Sequence, residues 1–363
     1  MTTTYHEVYP ASQKDSYTNE YVDFIIQPPP NSEIVQGSFN VQGDLKMEKA
    51  GAQIAFDDKI YFDHHAGVAC FFDSFIVQME NGVTESKFLH YARHEKMRTI
   101  CMTSSDELIN DSKHHIQWKC ASDLQTTQLL RGDTPTTHSL SFSFAPSICI
   151  NRSSRNIKVS EVGNITLSVR LQNPIRAVYG ADVTPANNIT YTITNLRIQY
   201  QAVPAQAHSD KLMFNITSMN QYTINSKQAN VEIILPIATQ TMSCTFAREA
   251  DLLPTAEGQQ SIYHPTVNRL IWRFNDENKR NLSYNLESPV EILANYKSSM
   301  SSGADSEIDD LRLTDVESNY GVGINFSGTM AKGNKVSMEI DSNADSTNIL
   351  QLFCYFRGLV AVN

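Results

Sequence analysis

Residues 189–200, ITYTITNLRIQY, place large apolar side chains at 189, 191 and 193 and again at 196, 198 and 200. A β-strand points successive side chains to opposite faces, so a period of two marks a strand with one buried and one solvated face. The phase flips once, at Thr194-Asn195, which predicts a β-bulge inside one long strand.

The same signal recurs on both sides of this stretch. Upstream, Ile165, Leu167, Val169 and Leu171 alternate, as do Leu140, Phe142 and Phe144, and Phe39, Val41, Gly43, Leu45 and Met47. Tyr21–Ile26 is an apolar run stopped by Pro28-Pro29-Pro30. Val68–Met79 is another, closed by Asn81-Gly82, a strong tight-turn signal. From Thr84 to about Met97 the composition predicts a helix with Phe88, Tyr91 and Ala92 on one face. Downstream, Val231–Ile237, Leu270/Trp272/Phe274 and Val336/Met338/Ile340 read as strands. Ser288-Pro289-Val290-Glu291 opens a helix with Ser288 as N-cap, Pro289 in the first turn and Glu291 closing a capping box. Residues 349–362, ILQLFCYFRGLVAV, are strongly apolar and read as a strand pair or one long bent strand.

The two halves share a plan. Each has a strand, a polar turn and a short helix (71–97; 270–300), then an alternating strand (164–171; 335–340) and a closing strand. The closing strands are expected to begin at Thr194-Asn195 and Thr347-Asn348. Half of 363 residues is close to what an eight-stranded two-sheet jelly roll with loops requires. The expected fold is therefore all-β: two consecutive eight-stranded jelly-roll β-sandwiches with short helices in loops. The expected division is an N-terminal arm at 1–20, a first jelly roll at 21–204 and a second at 205–363.

Composition narrows function. Charged residues are 19% of the chain and the formal net charge is -10. Ser, Thr, Asn and Gln together make up roughly 30%, above ordinary usage. Lys14 is the one cation before Lys46, so no basic arm is present to hold nucleic acid, and none is expected to be bound. The N-terminal stretch has neither a cationic segment nor an apolar one, so no secretory signal is expected. No run approaches the ~20 apolar residues of a membrane helix. Cys70, Cys101, Cys120, Cys149, Cys244 and Cys354 are scattered without a C-x-x-C pair and are expected to be reduced.

Several short motifs contain residue types suited to chemistry. Asp63-His64-His65 is similar to a phosphoesterase tripeptide but lacks the accompanying metal-binding aspartates, and reads as a loop. His90 and His94, with His114 and His115, have the types for a metal cluster, yet no Glu follows His90 and the apolar neighbours favour a packed helix. Asp305, Glu307, Asp309 and Asp310 lack the order of a calcium loop and read as a solvated acidic segment. Gly321, Gly323 and Gly328 lack the Lys-Ser/Thr of a phosphate loop and read as glycines at bends. Arg131-Gly132-Asp133 is a tripeptide integrins can read, here in an exposed loop. With no nucleophile or metal motif, no catalytic residue, cofactor or metal is expected, and the chain is not expected to be an enzyme.

Three stretches carry a family resemblance: FFDSFIVQMENGVTESKFLHYARH (71–94), VNRLIWRFNDENKRNLSYNLESPVEILANY (267–296) and the closing region 321–362. The first two resemble the strand, turn and Tyr-bearing helix of the double jelly-roll major capsid proteins of icosahedral double-stranded DNA viruses. That group includes virophages, polinton-like viruses, tailless membrane-containing phages and, more distantly, adenovirus hexon. The third resembles the family's closing strands. The resemblance implies a homotrimer whose six jelly rolls form a pseudo-hexagonal capsomer of the virion shell, made inside the host cell. Neighbouring capsomers, minor capsid or vertex proteins and an internal membrane are the implied partners. The loops are short beside hexon towers. The alternatives from the residues alone are a carbohydrate-binding or adhesin-like double sandwich, which would need exposed aromatics, and a minor vertex or spike component. Trp118 and Trp272 are the only tryptophans, and Trp272 and Tyr296 are expected in the second sandwich's core or on a contact flank.

Overall fold

The computed structural model describes residues 3–54, 58–61, 63, 66–82, 84–102, 140–253, 262–275, 280–300 and 320–362. In the first half the strands are β1 Thr4–Val8, β2 Tyr21–Ile26, β3 Ser32–Ile34, β4 Asn40–Lys49, β5 Ala52–Gln53, β6 Phe72–Met79 and β7 Thr84–Leu89. Helix α1 Tyr91–Met102 follows, then β8 Leu140–Phe144, β9 Ile157–Lys158, β10 Ile165–Leu171 and β11 Ile189–Pro204. The second half has β12 Met213–Ile224, β13 Gln228–Ile234, β14 Thr239–Arg248, β15 Arg269–Asn275 and β16 Asn281–Leu286. It continues with helix α2 Pro289–Met300, β17 Gly321–Met330, β18 Lys335–Asp341 and β19 Leu350–Ala361.

Sheet order makes the two halves equivalent. In the second half the sheets run β12-β19-β14-β17 and β13-β18-β15-β16. Counted along that half, the strand orders are 1-8-3-6 and 2-7-4-5, which is a jelly roll. In the first half β1 and β4 flank β11, β8 pairs β4, and the facing sheet is β2-β10-β6-β7. With β3, β5 and β9 as short additions, this is the same 1-8-3-6 and 2-7-4-5 order. All the pairings are antiparallel. The chain is two eight-stranded jelly rolls in tandem.

The alternation seen in sequence is the inward-outward pattern of these strands. β11 buries Ile189, Tyr191 and Ile193, then Leu196, Ile198 and Tyr200. Its register against β4 shifts between Thr194 and Arg197, and Asn195 takes the left-handed conformation (φ 52°) that lets the phase flip. The capping box at the start of α2 also forms. Ser288 Oγ accepts from the Glu291 amide at 3.2 Å, and Glu291 Oε2 accepts from the Ser288 amide at 3.2 Å. Amide bonds from Glu287 and then Ser288 hold the Glu291 carboxyl below its ordinary pKa.

Four details differ from the sequence expectation. Thr4–Val8, placed in a polar arm, is an edge strand pairing from Thr4↔Ala202 to Val8↔Ile198. Tyr17, also in the expected arm, buries its ring and bridges Ile193. Five residues with only His6 and Val8 turned inward are too few to show a period. Residues 84–89, expected to be helical, pair with β6 across the Gly82 turn, and the helix begins only at Tyr91. At a hairpin edge the open hydrogen bonds of β6 outweigh the weak helical propensity of such a segment. The closing strand of the first half begins at Ile189, so Thr194-Asn195 lies inside it, whereas Thr347-Asn348 precedes β19 in a turn tied to Asp345. Residues 350–361 form one strand, paired along its length with β12 on one side and β14 on the other.

Candidate functional site

β19 explains why residues 349–362 show no alternation: both of its faces are buried. Leu350, Leu352, Cys354 and Phe356 point into the core of the second jelly roll, beside Trp272, Met242, Phe246 and Val322. Phe353 and Tyr355 point the other way and join the core of the first half. From Leu350 to Gly358 the strand is covered on both sides, so its sequence is mainly apolar there, broken only by Gln351 and Arg357.

The cover on that second face is built by the first half. His90, just before α1, sits in the left-handed region (φ 52°) and packs its ring edge-on to Phe353 at 4.9 Å. The Arg93 guanidinium lies 4.7 Å above the same Phe353 ring, and His94 packs on Tyr355 at 5.2 Å. β7 lies against β12. Arg152 donates to Thr217 Oγ1 at 2.9 Å, and Ser153 bridges Phe214. From the second half, Arg357 donates to the Met300 carbonyl at the end of α2. Strand partners carry the same face onward through Met219 on β12 and Ser243, Thr245 and Ala247 on β14, all buried.

α2 covers the remaining strand, β17. A side chain at Gly321 would collide with the Tyr296 ring, and one at Gly323 with Ser299. These two glycines let a helix lie directly on a strand. They are not at bends, as the sequence suggested; the irregular stretch comes later, where register slips opposite Thr239–Thr241 and Ser327 has φ 56°. Tyr296 belongs to the core shared by the halves and Trp272 to the core of the second, so neither lines an open ligand site.

The charges in this region are held, not offered. Lys96 of α1 donates to Asp63 at 2.6 Å, and Asp63 Oδ1 accepts from the Ala66 amide at 3.2 Å, so the expected loop aspartate anchors α1. Tyr91 donates to Glu95 at 3.2 Å and accepts from the Ser147 amide at 2.9 Å. Burial, and then Glu95, raises the Tyr91 phenol. Burial, then Arg93, lowers the His90 imidazole to about 3. Burial, then Arg357 and Arg152, lowers His94 well below its ordinary value. Both histidines are therefore neutral at pH 7 and stack on different rings; they do not converge on a shared ion. Burial lowers Arg93 to about 10, which leaves it cationic at neutral pH.

Among the described residues no group of three His, Cys, Asp or Glu could hold a metal ion. Cys70, Cys149, Cys244 and Cys354 are buried, and Cys244 faces Cys354 across β14 and β19 with sulfurs 3.2 Å apart. No helix of the described residues is long and apolar enough to cross a membrane. His64, His65, His114, His115, Trp118, Arg131-Gly132-Asp133 and the acidic segment at Asp305, Glu307, Asp309 and Asp310 lie outside the described residues. What sequence reading missed is the contact between the halves; its one visible signal was the largely apolar, non-alternating run at 349–362.

With strand order and helix placement in hand, solved structures of known proteins can be compared. A chain in the 3.5 Å cryo-EM structure of the Sputnik virophage superposes with a TM-score of 0.61 at 9% identity, covering 99% of this chain and 86% of that one. The Faustovirus major capsid protein gives 0.56 at 8% identity over 99% and 90%. The mavirus major capsid protein gives 0.52 at 11% identity over 98% and 87%. The fold is that of the double jelly-roll capsid proteins. No family model matches the sequence, and no curated protein does. At such identities the likeness resides in strand order and not in shared side chains.

Proposed function

We propose that this chain is a major capsid protein whose homotrimers form pseudo-hexagonal capsomers of an icosahedral virion shell. One observation carries the reading: a single chain holds two jelly rolls of identical strand order, each with a helix between its fifth and sixth strands. Three chains arranged about an axis then present six similar blocks, so a three-fold object fills a six-fold lattice position. Full-length likeness to capsid chains supports the same role. The low charge content suits it too, because many copies of one surface must meet without like-charge repulsion.

In this reading the work is geometric, not catalytic, and the protein's place is the virion. Its partners are copies of itself, neighbouring capsomers and minor capsid or vertex proteins, with a membrane beneath the shell as a further neighbour. The first jelly roll runs to about residue 204 and includes β1, and the second starts at about 205. The carbohydrate-binding alternative loses its best platform, because Trp272 is fully buried.

The test is the mass of the purified chain in solution. Light scattering should return about 120 kDa, three times the chain mass, and negative-stain images should show pseudo-hexagonal particles about 7–8 nm across. A monomer over a wide concentration range would defeat the reading.

A further inference from the structure

The halves meet through one pair of surfaces, and each half carries both members of that pair. The first half's β7 and α1 lie on the outer face of the second half's β12-β19-β14-β17 sheet. By strand order, β16 and the start of α2 correspond to β7 and α1, and the β1-β11-β4-β8 sheet corresponds to the covered one. In the single chain these two counterparts face outward. β16 is an edge strand exposed at Asn281, Ser283, Tyr284 and Asn285, and Val290 in the first turn of α2 is 68% exposed. An uncovered strand edge beside an exposed apolar side chain is a surface proteins ordinarily pair or cover.

The facing surface has matching chemistry. The outward positions of β4 and β11 are Gln42, Thr192, Gln199 and Gln201, with Gln42 donating to Gln199 at 2.9 Å, and Tyr5 stands beside Gln201 at 67% exposure. Most of its charges are offset: Glu7 pairs with Arg197 at 3.4 Å and Lys46 with Glu48 at 2.7 Å, while the Asp44 carboxylate accepts from Ser141 at 2.5 Å and from Asn195 at 2.6 Å. A face of amides, hydroxyls, paired ions and one carboxylate already hydrogen-bonded to its neighbours can bury against another chain with little unpaired charge.

We propose that β16 and the start of α2 of one copy seat on the outer β1-β11-β4-β8 face of the next, repeating between chains the contact that joins the halves within one. The occupant is a second copy of this chain. The contact is head-to-tail, so each subunit uses one surface to give and the other to receive, and rotation closes a ring. This rests on the trimer proposed above and assigns its surfaces.

The experiment is native mass spectrometry of the full chain, with circular dichroism melts to establish that each variant is folded. Parent protein is expected at three times the chain mass. The double variant Thr192→Arg/Gln199→Arg, which blocks the receiving face, and Val290→Arg, which blocks the giving surface, are each expected as monomers. Mixed one to one, the two variants should form dimers and go no further, because only one intact pair of surfaces remains between them. Thr166→Arg, on the opposite sheet of the first half, should keep the parent mass. A folded double variant or Val290→Arg variant that still forms trimers overturns the surface assignment and leaves the trimer standing. Dissociation by Thr166→Arg in place of the others moves the contact to the opposite sheet and likewise overturns it. A monomeric parent overturns both the trimer and its surfaces.

Discussion

The outer faces of the β1-β11-β4-β8 and β12-β19-β14-β17 sheets have the same strand order but differ in burial and in aromatic content. On the eighth strand of each, the outward residues include Thr192, Arg197, Gln199 and Gln201 in the first half, whereas in the second Phe353 and Tyr355 lie between the buried Gln351 and Arg357. On the third strand they are Gln42, Asp44 and Lys46 against Ser243, Thr245 and Ala247. The inward residues of the two central strands of each sheet, Val41, Leu45, Met47, Ile193 and Ile198 in one and Met242, Phe246, Leu352 and Phe356 in the other, are apolar. Strand order is thus set by what points inward, while outward residues are free to record what each face meets: solvent in one case, the other half of the chain in the other.

The sharpest way to break this contrast is to truncate the covered face. Phe353→Ala should cost about 3–5 kcal/mol in urea unfolding, because the cavity opens between two jelly rolls that share one core. A loss below about 1 kcal/mol would mean that the halves do not depend on this contact. Next comes the helix lying on the same face. Gly323→Ala should cost up to about 3 kcal/mol by pushing Ser299 and α2 away from β17, measured in the same unfolding assay.

Acid should attack the covered face selectively. The unfolded chain protonates His90 near 6.5, whereas the folded chain holds it neutral down to about 3. Its stabilising contribution is therefore complete above pH 6.5 and lost as pH falls from there towards 3. Between pH 6.5 and pH 5 that is about 2 kcal/mol. The urea midpoint followed against pH should fall over this window, and His90→Gln should flatten the fall. Ser288→Ala, which removes the cap of α2, should cost about 1 kcal/mol in thermal unfolding. Smallest of all, Gln199→Ala on the open face should change the unfolding free energy of the isolated chain by no more than about 0.5 kcal/mol. A cost comparable to that of Phe353→Ala would erase the contrast.

Much of the architecture was legible. The phase flip at Thr194-Asn195 located a real bulge, and Ser288-Pro289-Val290-Glu291 located a real capped helix. Both are local: a few adjacent residues determine them. Strand β1 was not legible, because its five residues turn only His6 and Val8 inward and its partner lies nearly 200 positions away. Nor was β7, whose strand character comes from pairing with β6 across a turn. The packing of His90 and His94 on β19 escaped for the same reason. A histidine four residues from another carries no mark of whether it faces an ion or an aromatic ring supplied by a strand some 260 residues later.

The connection between β11 and β12, residues 205–212, has a consequence for the order of events in a cell. A tether that short holds its two ends at millimolar effective concentration or above, so the halves find each other as soon as the chain is complete. Their junction never has to survive as bare surface and can be made of Phe, Tyr and Met. A face awaiting a separate molecule has no such protection and must remain wettable while it waits. Joining two jelly rolls in a single polypeptide therefore lets the seam between them be apolar and permanent while the matching outer face stays polar.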